Sequence, residues 1–237
     1  MKDTVYFIVI SLIMVVMAYF VAFGCEKLIE KKTHVKFSSE KTKVNKLVIM
    51  AMLSAVAVVL MYFDFPLVFL APGFYKLDFS EIPVLVGAFA LGPAAGAAIE
   101  LLKVLLHMLL QGTQTAGVGD LANFLIGCSY VIPAAMIYRS KKTRRRAVAG
   151  LAAGSVCMVF AGCVMNAFVL LPAYAAAFRV PVESFVEMGA AIHPAINSLF
   201  RFCLLAVGPF NLLKGIADAA VTLLIYKRIR GLLKGEV

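Results

Sequence analysis

Residues 47–62 read LVIMAMLSAVAVVLMY, sixteen residues in a row without a charged side chain. A helix of this composition is typical of a membrane span. The rest of the chain is similar, because 62% of its 237 residues are hydrophobic, only 15% are charged and the mean hydropathy is +0.94. These values exclude an ordinary soluble enzyme, a disordered chain and a secreted disulfide scaffold. The sequence therefore predicts an all-α integral membrane protein.

Apolar stretches recur on both sides of residues 47–62. They predict a bundle of six helices and one extra transmembrane helix at the N-terminus. Asp120 is the predicted N-cap of the fourth bundle helix, and Gly92-Pro93 is a predicted break. The predicted helices are Val5–Phe23, Leu47–Tyr62, Pro83–Leu91, Ala94–Leu110, Leu121–Tyr138, Ala147–Leu171 and Phe202–Tyr226, with a long connection at Phe63–Ser80 and a short amphipathic helix near Val182–Ile192.

Basic residues concentrate in three segments that the predicted layout places on one side of the membrane. These segments are the lysine-rich stretch after the first helix, the loop Arg139–Arg146 and the tail after Tyr226, and they hold 17 of the 23 Lys and Arg residues. Cytoplasmic loops carry such an excess of positive charge. The C-terminus is therefore predicted in the cytoplasm and the N-terminus outside, and the net charge of +10 gives no reason to expect nucleic acid.

Several motifs of soluble chemistry are missing from the sequence. It contains no GxxxxGK[ST] phosphate loop, no HExxH and no GxSxG. The five cysteines lie in or beside apolar segments, so we interpret them as small core residues, and no metal site is predicted. The chain therefore has no ATPase of its own.

Polar side chains inside the apolar segments mark candidate functional positions, because a charged group at the bilayer centre costs roughly 2.5–3.5 kcal/mol. Glu100, Lys103 and His107 share one face of their helix, and so do Asn211, Lys214 and Asp218. Two readings are open. Glu100 with Lys103 and Lys214 with Asp218 are structural ion pairs, or Asn166, Asn211 and Lys214 line one outward-facing cavity.

Two further features await partners. The connection Phe63–Ser80 is aromatic and nearly uncharged, so it either covers a planar ligand or dips into the membrane interface. Ala51 and Ala55 form an AxxxA pair that lets another helix approach closely, either within the chain or from a partner protein.

A set of motifs in the second half of this pattern resembles a known family. Residues 76–83 (KLDFSEIP), 87–93 (GAFALGP), 103–107 (KVLLH), 115–124 (TAGVGDLANF) and 209–215 (PFNLLKG), with Asn166 before 168–172 (FVLLP), are similar to the substrate-binding (S) components of energy-coupling-factor (ECF) vitamin transporters. The combination is similar to the riboflavin-specific branch and covers about residues 45–230.

The resemblance implies a division of the chain and a ligand. Residues 1–25 would be the extra helix, 26–46 a basic cytoplasmic linker, 47–230 the six-helix substrate-binding domain and 231–237 a cytoplasmic tail. Riboflavin would be the transported ligand, without a cofactor. The candidate substrate-binding residues are Leu77, Asp78, Phe79, Lys103, Thr115, Gly117, Asn123, Asn166, Asn211 and Lys214.

The resemblance also implies partners in the membrane. A transmembrane coupling subunit and two ABC-type ATPases would supply the energy, with Ala51 and Ala55 meeting the coupling subunit. The alternatives are an S component for another vitamin or a flavin nucleotide, an intramembrane enzyme that uses Glu100 and His107, and a membrane adaptor without a ligand.

Overall fold

The computed structural model describes residues 2–33, 43–113 and 115–234, and almost all of its regular structure is helical. A single two-stranded antiparallel sheet pairs Phe65 with Leu77 within the connection after the second helix. The elements are α1 Lys2–Thr33, α2 Lys43–Met61, β1 Phe65–Pro66, β2 Lys76–Leu77, α3 Glu81–Leu91, α4 Pro93–Gln111, α5 Val118–Arg139, α6 Arg144–Met165, α7 Leu171–Phe178, α8 Glu183–Ile192, α9 Leu199–Phe202 and α10 Gly208–Lys234.

Two short π-helical segments interrupt the long helices. The first, Asn166–Leu170, joins α6 to α7, and the second, Cys203–Val207, joins α9 to α10. Within the described part of the chain, six continuous helical segments are long and apolar enough to cross a membrane: Phe7–Lys32, Lys43–Met61, Pro93–Gln111, Val118–Arg139, Arg144–Phe178 and Leu199–Ile225. The shorter apolar helix α3 completes the bundle of six that follows α1, which confirms the predicted fold class.

Most predicted helix positions agree with the structure, but some boundaries differ. The break at Gly92-Pro93 is present, and Gly92 has φ +118°, which favours glycine. Asp120 as an N-cap is wrong: α5 begins at Val118 after Gly117, whose φ is +84°, so Asp120 lies in the first turn. The amphipathic helix predicted near Val182–Ile192 is α8.

The ends of the chain modify the predicted layout. Helix α1 continues to Thr33, into the segment predicted as a linker, and α2 begins at Lys43, before the predicted start at Leu47. The middle of the predicted linker, residues 34–42, and the end of the predicted tail, residues 235–237, lie outside the described residues.

Small residues allow the two longest core helices, α5 and α6, to pack closely. A Cβ atom at Gly150 would lie 2.6 Å from the carbonyl oxygen of Ala134, and one at Gly154 would lie 2.5 Å from that of Tyr130. Close approach of helix backbones at such glycines is common in membranes. On the other side of α5, the Tyr138 ring stacks on Phe89 of α3 at 4.3 Å between ring centroids.

Basic residues gather at one end of the bundle. The Arg139 guanidinium, at the end of α5, donates a hydrogen bond to the carbonyl oxygen of Ala90 at the end of α3, at 2.9 Å. Near the same end, Glu26 of α1 contacts the start of α4 at Ala94. The opposite end carries the two strands and the start of α5, and it contains the main cavity.

Candidate ligand-binding cavity

The cavity lies between the connection after α2 and the outer halves of α4, α5, α6 and α10. Its empty volume is about 1170 Å³, including solvent at its mouth. Its wall combines aromatic rings with a few polar groups, as expected of a small-molecule site. The aromatic members are Phe74, Tyr75, Tyr174 and Phe210.

The two π-helical segments position two asparagine side chains on this wall. Asn166 begins the first segment, and its amide donates to the carbonyl oxygen of Gly162 at 2.8 Å. Asn211 follows the second segment by one turn, and its amide donates to the carbonyl oxygen of Val207 at 2.9 Å. Each bond occupies one N–H of an amide that can make four hydrogen bonds. Asn166 and Asn211 therefore retain donor and acceptor capacity for a ligand.

Lys214 lines the same wall and is paired with the connection above it. Its ammonium donates to a carboxylate oxygen of Asp78 at 2.8 Å, and both side chains are buried. The predicted Lys214–Asp218 pair is therefore wrong. Asp218 is fully buried one turn further along α10, and its carboxylate oxygens have no hydrogen-bond partner among the described residues.

Asp78 remains ionised in this setting. Burial alone would favour its neutral form, but the Lys214 ammonium, helped by Lys103 and the backbone N–H of Ser80, lowers the pKa of the Asp78 carboxyl from 3.8 to about 2. The pair therefore presents a fixed ammonium at the cavity wall throughout the neutral pH range.

Tyr75 gives the cavity a second polar contact with the connection. Its hydroxyl donates to the amide oxygen of Asn166 at 2.6 Å, and its ring lies 5.6 Å from that of Phe210. Burial raises the pKa of Tyr75, so its hydroxyl stays a neutral donor. The connection is thus held to the bundle through Asn166 and Lys214.

A fully buried ion triad lies beneath the cavity. The Lys103 ammonium is 2.9 Å from Glu81 Oε1 and 2.6 Å from Glu100 Oε1, and it also donates to the hydroxyl of Ser80 at 3.2 Å. The predicted Glu100–Lys103 pair is present, whereas His107 contacts Asp120 at 3.3 Å instead. Glu100 and His107 therefore belong to separate pairs, which does not favour their joint use as acid and base.

The structure brings six of the ten predicted substrate-binding residues to the cavity wall: Asp78, Thr115, Asn123, Asn166, Asn211 and Lys214. The other four do not line it. Leu77 is buried in an apolar cluster against which Phe79 packs, Lys103 is enclosed by the triad, and Gly117 provides the turn before α5.

Several wall residues were absent from the predicted set. Tyr75 was visible only as one ring in an aromatic connection, and Tyr174 and Phe210 only as aromatic positions in apolar helices. Glu81 and His107 also line the cavity, although the sequence pointed to them for other reasons or not at all. No spacing in the sequence distinguishes these residues from lipid-facing ones.

An all-helical membrane domain with one aromatic, polar-edged cavity at the end of its bundle belongs to the class of ligand-binding membrane proteins. The family described as "ECF transporter, substrate-specific component" matches residues 45–226. The chain belongs to this family, which confirms the resemblance to S components. It is accordingly a transporter component and not an enzyme.

Individual relatives agree with this assignment. The chain is similar to "Riboflavin transporter RibU" of Staphylococcus aureus (strain TCH60), with 35% identity over 80% of this chain and 93% of that protein. It is 32% identical to "Riboflavin transporter FmnP" of Bacillus subtilis (strain 168), over 79% of this chain and 93% of that protein. A solved structure titled "Structure and mechanism of the S component of a bacterial ECF transporter" superposes with a TM-score of 0.64 at 34% identity, covering 81% of this chain and 99% of that chain.

Proposed function

We propose that the chain binds riboflavin in this cavity and delivers it into the cell as the substrate-specificity subunit of an ATP-driven ECF transporter. The observation that carries the proposal is the meeting of Asn166, Asn211 and Lys214 on one cavity wall, in a chain 32–35% identical to proteins named riboflavin transporters.

The chemistry of the wall fits the isoalloxazine ring of riboflavin. The pyrimidine edge of this ring presents carbonyl acceptors and an N–H donor. Asn166 and Asn211 offer both donors and acceptors, and Lys214 offers donors only. Riboflavin carries no charge that needs a counter-ion, so Lys214 keeps Asp78 as its partner while it donates to the ligand. Rings such as Tyr75 and Phe210 would pack against the ring faces.

The surface of α2 supports docking to a coupling subunit. Ala51 and Ala55 lie one turn apart and are both exposed, so this face remains open to a partner helix. A coupling subunit and two ABC-type ATPases would dock here and supply the energy for release. The double variant Ala51→Leu with Ala55→Leu should retain riboflavin binding and lose uptake, because two bulky side chains separate the helices. Normal uptake by this variant would exclude the surface as the docking site.

The orientation follows from the distribution of charge. The end of the bundle that carries Arg139 and the exposed Arg144 and Arg145 would face the cytoplasm, together with the C-terminus. The cavity and the N-terminus would then lie outside, where the vitamin is captured. The division at residues 25, 46 and 230 remains part of this proposal.

Fluorescence titration of the purified chain tests the binding proposal. Riboflavin should be quenched on binding without ATP, and the purified protein should retain a yellow chromophore. Parallel titrations with flavin mononucleotide and thiamine decide between riboflavin and the alternative ligands. Flavin fluorescence that does not change at micromolar protein would contradict the proposal.

A further inference from the structure

Helix α1 lies outside the family match, which begins at residue 45, and yet it packs along α4 and α5. Most of its apolar side chains are exposed, as in a lipid-facing helix, but Ala22 is fully buried and Ile29 is 7% exposed. Ala22 lies in a cluster with Ala97 of α4 and Phe124 of α5. The helix therefore has one face that belongs to the bundle.

A polar contact holds α1 to the basic end of the bundle. The Glu26 carboxylate accepts a hydrogen bond from the backbone N–H of Ala94 at 3.1 Å. Helix α4 begins at Pro93, so this N–H is one of the groups at a helix start that lack a partner within the helix. A carboxylate at this position satisfies the N–H and interacts favourably with the helix dipole.

The other end of α1 contacts the loop that forms one edge of the cavity. A ring carbon of Phe7 lies 3.9 Å from the position that a Cβ atom on Gly117 would occupy. Phe7 also packs against the buried cluster that contains Val118 and Tyr174. Phe7 and Glu26 are 19 residues apart, about 28 Å along a helix, so α1 spans the distance between the two ends of the bundle.

The loop beneath Phe7 supplies several groups to the cavity. Thr113, Thr115 and Gly119 line it. The Thr113 hydroxyl accepts the backbone N–H of Gly117 at 2.7 Å, and the Thr115 hydroxyl accepts that of Gly119 at 2.9 Å. These bonds close a compact turn around the positive φ of Gly117, and Phe7 packs on its outer side.

We propose that α1 is a positioning helix for the ligand cavity, in which Glu26 fixes the helix to α4 and Phe7 holds the turn at Thr113–Gly119 against the bundle. This inference rests on the proposed riboflavin site. It assigns Phe7 a role in ligand retention without contact with the ligand, since a turn held in one conformation binds with less loss of conformational freedom.

The variant Phe7→Ala tests the inference, with Phe20→Ala as the matched control, because Phe20 lies on the same helix and is 67% exposed. Hydrogen exchange of ligand-free protein should become faster at residues 115–119 in Phe7→Ala, while α6 exchanges as in the wild type. The dissociation constant for riboflavin should rise about three- to tenfold with little change in Tm. Phe20→Ala should behave as the wild type, and Phe7→Leu should lie between the two.

Failure of the inference is distinguishable from failure of the proposed function. Unchanged exchange and unchanged affinity in Phe7→Ala, in a protein that binds riboflavin, would overturn the positioning role. Faster exchange at residues 115–119 in a chain that binds no riboflavin would support the contact between α1 and the turn and would contradict the ligand assignment.

Discussion

Lys103 and Lys214 are both buried lysines in ion pairs, but their surroundings give them different roles. Lys103 is enclosed by two carboxylates, Glu81 and Glu100, and has no access to the cavity. Lys214 has one carboxylate partner, Asp78, and lines the cavity wall. A buried lysine is therefore informative about binding only when the cavity leaves one of its donors accessible.

The largest effect is expected from Lys103→Met. This change leaves Glu81 and Glu100 buried without their cation, and breaking such a network costs about 3–5 kcal/mol. We expect a large fall in Tm and in the yield of folded protein in detergent. Adding Glu81→Gln and Glu100→Gln should restore much of the Tm. A wild-type Tm for Lys103→Met alone would show that the triad does not stabilise the bundle.

Asn211→Leu should affect binding more than stability. The polar edge of the bound ring would lose a partner, and an unsatisfied buried group costs about 1–3 kcal/mol, or roughly a 5- to 150-fold higher dissociation constant. Leu212→Ala, at the exposed neighbouring position, serves as the control. If both variants bind riboflavin as tightly as the wild type, Asn211 does not contact the ligand.

Lys214→Met should affect both properties. Affinity should fall by a similar factor, because a donor to the ring is removed. Stability should fall less than in Lys103→Met, because only Asp78 loses its partner and the loop that carries it can move toward solvent. Isothermal titration and melting curves on Lys103→Met and Lys214→Met compare these sites directly. A larger loss of stability for Lys214→Met would reverse the assignment.

The smallest effect concerns pH. The folded-state pKa of Asp78, about 2, is below its ordinary 3.8, so its ion pair stabilises the fold above the unfolded pKa and loses this contribution as the pH falls through the folded value. The difference in Tm between the wild type and a variant lacking the pair should be constant from about pH 5 to 8 and should shrink below about pH 4. A difference that varies between pH 5 and 8 would assign another titrating group to this pair.

Local spacing predicted much of the fold and part of the site. The apolar runs predicted the spanning helices, and the three-residue spacing of Glu100 and Lys103 predicted a pair that the structure contains. The same reasoning failed for Lys214, because its carboxylate partner lies 136 positions away in sequence. A contact between distant segments has no periodicity that a single sequence can reveal.

The geometry of the asparagines was also beyond the sequence. Asn166 and Asn211 were recognised as polar residues at similar depth, but the π-helical segments beside them have no distinct residue pattern. The hydrogen bond from Tyr75 to Asn166 joins residues 91 positions apart and depends on the path of the connection. The residue types were therefore readable, whereas their partners required the structure.

The double variant Asp78→Asn with Lys214→Met tests the central claim most directly. It removes both charges of the pair, and the amide oxygen at position 78 can still accept the backbone N–H of Ser80. The account predicts a Tm near that of the wild type together with a dissociation constant for riboflavin raised roughly 5- to 150-fold, measured by isothermal titration. Wild-type affinity in this stable variant would contradict the account, since Lys214 would then be a structural lysine like Lys103.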